Sequence, residues 1–294
     1  MKIQAINEEF LQQIETLQML VKHNVAGLFG GNHQSKTFGS SCEFSDFRDY
    51  MAGDDITKID WNAYARFDKL YLKLYLDERQ MHTKIYIDAS RSMEYGNSKK
   101  GEQAIKLAAA LAYLSVCEMD KVSIYVIREK ELIEVIGGMV GKEAFISNIH
   151  KLNDIEFGGD SYITDAILPT NVGFGDGMSF LISDFLTDND YDRVIDHLAG
   201  KKRHVVCMQI LSREELNPLV RGKMHFFDSE DVNRTYRKHI DKEIAKAYKA
   251  ALNYVTDRIK SICASRGNDY MLISSEESLG QIFFGKMIEE GVLK

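Results

Sequence analysis

Lys84-Ile85-Tyr86-Ile87-Asp88-Ala89-Ser90-Arg91-Ser92 decides how this chain is read. A run of strand character ends in a carboxylate and two hydroxyls, and a helical pattern follows from about Ser98 to Glu118. Strands and helices then alternate. Val122 to Ile127 and Leu132 to Ile136 are joined by four residues, too few for a parallel crossover, so they form an antiparallel hairpin. Helices are expected near Lys142 to Lys151, from Ser161 and over Asp190 to Leu198, with strands over Ser179 to Ser183 and Arg203 to Ile210. A long helix is expected from Ser229 to Arg266, with Ile240, Ile244, Ala247, Ala251, Val255, Ile259 and Ile262 on one face and Gly267 as C-cap. A strand over Tyr270 to Ile273 and a helix from Ser278 close the chain. The predicted fold is α/β: a doubly wound sheet with helices on both faces and one antiparallel edge strand.

Upstream the texture differs. A helix is predicted over Asn7 to Val21, with Phe10, Leu11, Ile14, Leu17 and Leu20 at helical spacing. A Gly-rich stretch follows from Gly27 to Ser41. Leu70 to Asp77 alternates, with Leu72, Leu74 and Leu76 on one face, as a half-buried strand does. Residues 1–82 therefore read as an N-terminal extension and 83–294 as the main domain. One helix and one strand are too little for a separate core, so the extension is expected to pack on the main domain with Trp61 buried near the junction.

Charge and composition exclude several classes. Lys plus Arg number 37 against 44 Asp plus Glu, a formal charge of -7, which gives no field for a nucleic acid. The longest aliphatic run, Leu107 to Val116, is too short to span a bilayer, and Glu8-Glu9 stand where a signal peptide is basic. The four cysteines, Cys42, Cys117, Cys207 and Cys263, have no paired spacing and read as reduced, mostly buried thiols. The expected location is cytoplasmic.

Chemistry concentrates at the ends of the predicted strands. Asp88-x-Ser90-x-Ser92 offers hard oxygen ligands of the kind Mg²⁺ or Mn²⁺ accepts. Phe180-Leu181-Ile182-Ser183 delivers Asp184 to the same sheet edge, and Gly158-Gly159-Asp160-Ser161 places a hydroxyl before a helix. Against a metal site stands a plainer reading, in which Ser90, Ser92 and Ser161 are helix N-caps and Asp184 is a turn residue. Gly137 to Glu143 has the wrong spacing for a phosphate loop, and Asp188 to Asp192 lacks the central Gly and distal Glu of a calcium loop. Lys99-Lys100 and Lys201-Lys202-Arg203 are read as solvated charge.

The D-x-S-x-S loop and the later Asp resemble the metal-ion-dependent adhesion site of von Willebrand factor A domains. That resemblance implies Asp88, Ser90, Ser92 and Asp184 as site residues. Counting back from Ala166-Ile167 puts Ser161 in place of the family's threonine, with Thr164 as a competing ligand. Cys42-Glu43-Phe44, Arg48-x-Tyr50, Gly53-Asp54-Asp55, Ile59-Asp60-Trp61, Ala65-Arg66 and Glu78-Arg79 together resemble the signature of the bacterial "domain of unknown function 58" family, with Ser41 where the pattern has Gly. The resemblance implies an A-like domain acting with a MoxR-type AAA+ ATPase as partner, in chaperone-like assembly or maturation of other proteins. Arg48, Tyr50, Asp54, Asp55, Asp60, Trp61 and Arg66 then serve either partner binding or the local structure, Trp61 as core and the arginines paired with Asp54, Asp55 or Asp60. The expected activity is non-catalytic: Ser90 and Ser92 bind Mg²⁺ directly, Asp88 and Asp184 hold its waters, and the open position takes an acidic residue of the partner. The alternative is an Mg²⁺-dependent hydrolase on the same ligands, for which Asp160 and Asp165 are the spare acid–base candidates.

Overall fold

Six strands form the sheet that carries the site: β1 (His82–Asp88), β2 (Lys121–Arg128), β3 (Glu131–Met139), β4 (Gly177–Ser183), β5 (Arg203–Leu211) and β6 (Asp269–Ser274), in the order β3-β2-β1-β4-β5-β6. All neighbours pair in parallel except β2 and β3, the expected hairpin. The structure is a computed structural model and describes residues 4–24, 34–35, 44–75, 77–78, 80–94, 99–218, 222–227, 235–240, 242–290 and 292. It divides into two compact units, Met1–Phe29 with Met81–Lys294, and Gly30–Gln80.

In the larger unit the central strands are covered on both faces, which is why β4 is buried throughout and β1 in all but its first residue. On one face Ile85, Ile87, Ile124, Phe180, Ile182 and Met208 share a core with α1 (Glu8–Asn24), α2 (Lys100–Cys117) and α3 (Gly141–Asn148). Helix α2 is apolar nearly all round, and all its residues but Glu102, Lys106 and Cys117 are buried. The other face packs Tyr86, Leu181, Val205 and Cys207 against α4 (Ile163–Ile167), α5 (Tyr191–Ala199) and α6 (Lys242–Ser265). Helix α1 buries Phe10, Ile14, Leu17 and Val21 within the larger unit, whereas the sequence grouping placed it with residues 1–82.

Two expectations are corrected here. The long helix begins at Lys242 rather than Ser229, because Thr235–Ile240 pairs antiparallel with Gly222–Phe227. The β-favouring residues Thr235, Tyr236 and Ile240 take a strand, and the apparent helical face extended backward only because Ile240 lies four residues before Ile244. Along α6 the apolar face is buried from Leu252 onward, while Ala247 and Ala251 are exposed. The basic runs are not uniformly solvated either. Lys100 is 1% exposed and Arg203 4%. Arg203 opens β5 and donates from Nε to Ser179 Oγ at 2.7 Å and from Nη2 to the carbonyls of His82 and Met178. Cys207 and Cys263 are buried and Cys117 half-buried, all as free thiols, while Cys42 lies outside the described residues.

The smaller unit pairs Phe44–Asp49 with Tyr71–Tyr75 in antiparallel fashion, a first strand that the sequence reading did not find. Leu72 is buried, while the side chains of Leu74 and Leu76 lie outside the described residues. Its acidic residues fix backbone. Asp54 accepts from Arg48 Nη2 and from the Met51 amide, both at 2.8 Å. Asp55 caps the turn Ile56–Lys58 through the Thr57 amide. Asp60 caps the helix Trp61–Phe67 through the amides of Asn62 and Ala63 and meets Lys73 Nζ at 3.3 Å. Gly53 adopts φ +107°, a conformation that residues with a side chain rarely take. Trp61 is 61% exposed, which corrects its assignment to the core. The capped helix buries Ala63, as Ile59 and Leu72 are buried, and leaves Trp61 outside with its ring edge-on to Tyr64 at 6.1 Å.

Candidate functional site

Strand β1 connects onward to β2 and β4 onward to β5, in opposite directions along the sheet. A crevice therefore opens at the carboxyl ends of β1 and β4, where open α/β sheets bind ligands. Asp88 ends β1 and Asp184 follows β4, both fully buried. The loop after β1 is pinned by hydrogen bonds from the Ala89 amide to the Ile127 carbonyl at 2.9 Å, from Gly158 to Ala89 at 2.8 Å and from Arg91 to Gly159 at 3.0 Å. Gly159 has φ +74° and leaves no room for a Cβ against Glu129, so the Gly158-Gly159 turn can bring Ser161 up to β1.

The hydroxyls converge on the two carboxylates. Asp88 Oδ1 accepts from the Ser90 amide at 3.0 Å, and Oδ2 accepts from Ser161 Oγ at 2.9 Å and Ser183 Oγ at 2.7 Å. Asp184 Oδ2 accepts from Ser92 Oγ at 2.7 Å and Lys100 Nζ at 2.9 Å, and Oδ1 from the Leu186 amide at 3.2 Å. Ser90 Oγ and Ser92 Oγ stand 3.1 Å apart. Ser90 occupies an N-cap position, yet its hydroxyl makes no capping bond, and the cap of α4 is Tyr162 rather than Ser161. The three serine side chains thus serve the crevice instead of capping helices. Thr164 faces away from it: its Oγ1 accepts from the Asp190 amide at 2.9 Å, at the start of α5.

The electrostatics are unbalanced. Asp184 has an ammonium on it, whereas no cationic side chain among the described residues pairs with Asp88. Burial, and after it the charge of Asp184, raises the Asp88 carboxyl above the usual carboxylate range. Lys100 Nζ also donates to Glu215 Oε1 at 2.7 Å. Burial acts to lower the Lys100 ammonium, but Asp184 and Glu215 outweigh it and hold it above its ordinary value.

This donor set fits a hard divalent cation. Oxygens about 2.1 Å from an octahedral Mg²⁺ lie about 3 Å from their neighbours, which is the separation of the Ser90 and Ser92 hydroxyls. Among the described residues there is no group of three or more His, Cys, Asp or Glu side chains suited to a metal, so the serines are essential to any such site. Ser90, Ser92 and Ser161 could ligate, with Asp88 and Asp184 supplying charge. Asp165 pairs with Lys130 at 3.1 Å and Asp160 accepts from Tyr162 Oη at 3.2 Å.

The seven motif residues of the smaller unit divide by role. Arg48, Asp54, Asp55 and Asp60 hold turns and caps, and Tyr50 is half-buried with its amide on the Leu70 carbonyl. Trp61 and Arg66 are exposed.

Ser183 and Glu215 are not flagged as site residues by the sequence, and Lys100 reads there as solvated charge. A signal for Lys100 existed: it opens a helix apolar on every side, and a cation at a helix N-terminus opposes the macrodipole unless carboxylates face it. Glu215 sits in a Ser212-x-x-Glu215 capping box, a pattern visible in the sequence. Ser183 reaches Asp88 only through strand register.

A family model described as "Protein of unknown function DUF58" matches residues 46–256. The curated relatives include the uncharacterized proteins Mb1516 of Mycobacterium bovis and Rv1480 of Mycobacterium tuberculosis. Each is 29% identical over 104 residues, 35% of this chain and 33% of the relative; the match thus spans about a third of those relatives' length. Among solved structures, the SpRpn10 VWA domain aligns with 12% identity and a TM-score of 0.37, covering 68% of this chain and 92% of that one. The pilus adhesin SpaC from Lactobacillus rhamnosus GG aligns with 11% identity and a TM-score of 0.33, over 63% of this chain and 31% of the adhesin.

Proposed function

Because the chain belongs to the family described as protein of unknown function DUF58, whose matched region contains the whole Asp88–Asp184 crevice, we propose that it is a non-catalytic protein-binding module that holds Mg²⁺ or Mn²⁺ at this crevice and binds an acidic residue of a partner. The observation that carries this reading is Asp88, a fully buried carboxyl held, among the described residues, by neutral donors alone and facing a second carboxylate. A cation in the crevice would offset the burial and mutual repulsion of the two carboxylates, and the neighbouring hydroxyls are spaced to share one.

When bound, the ion supplies an open coordination position for a carboxylate. The chain's own part is to hold that position still. The amide bonds from Gly158 and Arg91 lock the Ser90–Ser92 loop, and the Gln209 side chain donates to the Asp184 carbonyl at 2.6 Å. The Gln209 bond anchors the backbone at Asp184. The partner we infer, from the family resemblance, is a MoxR-type AAA+ ATPase, the pair serving assembly or maturation of other proteins. No helix of the described residues is long and apolar enough to cross a membrane.

The test is capture of a MoxR-type ATPase by the purified protein in Mg²⁺ and in EDTA, with wild type and the Ser90→Ala/Ser92→Ala double variant. The reading requires capture by wild type in Mg²⁺ alone. Equal capture by both proteins in both buffers contradicts it.

A further inference from the structure

Lys100 is a lysine with 1% exposure whose ammonium lies between two carboxylates of different standing. One, Asp184 Oδ2, is the oxygen that also accepts from Ser92 and so faces the pair of serine hydroxyls. The other, Glu215 Oε1, accepts from the same ammonium at 2.7 Å and follows the carboxyl end of β5. Glu215 is immobilised by its own capping box: Oε2 accepts from the Ser212 amide at 2.7 Å, and its amide donates to Ser212 Oγ at 3.2 Å. Its carbonyl accepts from Tyr248 Oη on α6 at 2.9 Å. The ammonium therefore bridges one site carboxylate and one fixed carboxylate on the short helix Arg213–Leu216.

We propose that Lys100 is a built-in competitor for the metal, an internal cation that holds Asp184 when no ion is present and is transferred to Glu215 when one binds. This rests on the metal reading above and adds what sets the strength of that site. An ion next to the Ser90 and Ser92 hydroxyls shares Asp184 Oδ2 with a like charge, and the two repel in a buried, weakly screened setting. Ion binding thus requires the ammonium to shift its share of hydrogen bonding from Asp184 to Glu215. The crevice is weakened as a cation site but never left with two naked carboxylates beside one another. The same shift couples the crevice to the Arg213–Leu216 helix and, through Tyr248, to α6.

The proposal predicts opposite effects for two neutralising variants. Lys100→Gln removes the competitor and should tighten Mn²⁺ binding about tenfold. Glu215→Gln removes the ammonium's alternative anchor, leaves it wholly on Asp184 and should weaken Mn²⁺ binding by a similar factor. Both are read by calorimetric titration of MnCl₂ into the full chain. A second readout needs no affinity: in EDTA, Lys100→Gln should melt below wild type, because Asp184 has lost its counter-ion, and Mn²⁺ should raise its melting temperature by more than it raises that of wild type. If wild type binds Mn²⁺ and neither variant changes the affinity, or both change it in the same direction, the competitor role is overturned while the metal site stands. If none of the three proteins binds Mn²⁺, both are overturned. Glu215→Gln keeps Lys100 paired with Asp184, so it tests the idea even where Lys100→Gln does not fold.

Discussion

The hydroxyl of Ser92 donates to Asp184 Oδ2 at 2.7 Å, tying the loop after β1 to the loop after β4 across 92 positions of sequence. The contact is part of the site and part of the fold at once. Ser90 is fully buried and Ser92 half-buried, so neither is a disposable surface hydroxyl. Ser92→Ala removes a donor to a buried carboxylate and should cost about 2 kcal/mol in EDTA by denaturant titration. A loss under a few tenths of a kcal/mol would mean that the Ser92–Asp184 contact does not hold the loop.

Asp88→Asn should act differently. Replacing a carboxylate that burial and Asp184 both disfavour as an anion with a neutral amide relieves repulsion, and the rotatable hydroxyls of Ser161 and Ser183 can still meet it. In EDTA the variant should melt at or above wild type, and added Mn²⁺ should not shift it. Thermal melts with and without MnCl₂ check both halves; a variant that melts well below wild type in EDTA contradicts the charge argument.

The opposite end of the sheet carries a pH signature. Burial, then Arg203, together with Lys121, lowers Lys84 to about 8, and burial followed by Lys84 and Arg203 lowers His82 to about 4. Both groups bind their protons more weakly folded than unfolded. Stability contributed through His82 is therefore present above pH 6.5 and lost as pH falls toward 4, and that through Lys84 grows as pH rises from about 8 to 10.5. Lys84→Met should flatten the rise between pH 8 and 10.5 in urea-unfolding free energies. An unchanged slope would assign it to other groups.

Helix α1 is expected to be structural. Phe10 is 3% exposed in the same core as Ile85 and Ile105, so Phe10→Ala should cost about 3–5 kcal/mol. Unfolding monitored by circular dichroism measures it. The single tryptophan, Trp61, is 61% exposed and should be quenched by acrylamide nearly as a free indole is. Strong protection would mean that another surface covers it in solution.

Most of the sheet was legible because its strands are short apolar runs bounded by polar turns, and because a four-residue link between Ile127 and Leu132 allows only a hairpin. The crevice was legible in Asp88, Ser90, Ser92, Ser161 and Asp184, since strand ends and loop spacing are local features. What escaped depends on tertiary pairing. Phe44–Asp49 is a strand because Tyr71–Tyr75 lies beside it. Thr235–Ile240 took a strand where helical spacing ran on from α6. Lys100 and Glu215, 115 positions apart, meet only because α2 and β5 reach the same edge of the sheet. Trp61 misled because a lone tryptophan suggests a core, whereas the Asp60 cap sets the orientation of its helix.

Anomalous diffraction from crystals grown with MnCl₂ asks whether an ion sits in the crevice. The expected result is a peak about 2.2 Å from both Ser90 Oγ and Ser92 Oγ, with Lys100 Nζ moved off Asp184 and onto Glu215. No peak at saturating Mn²⁺, with Lys100 still on Asp184 Oδ2, would contradict the reading of this crevice as a metal-dependent binding site.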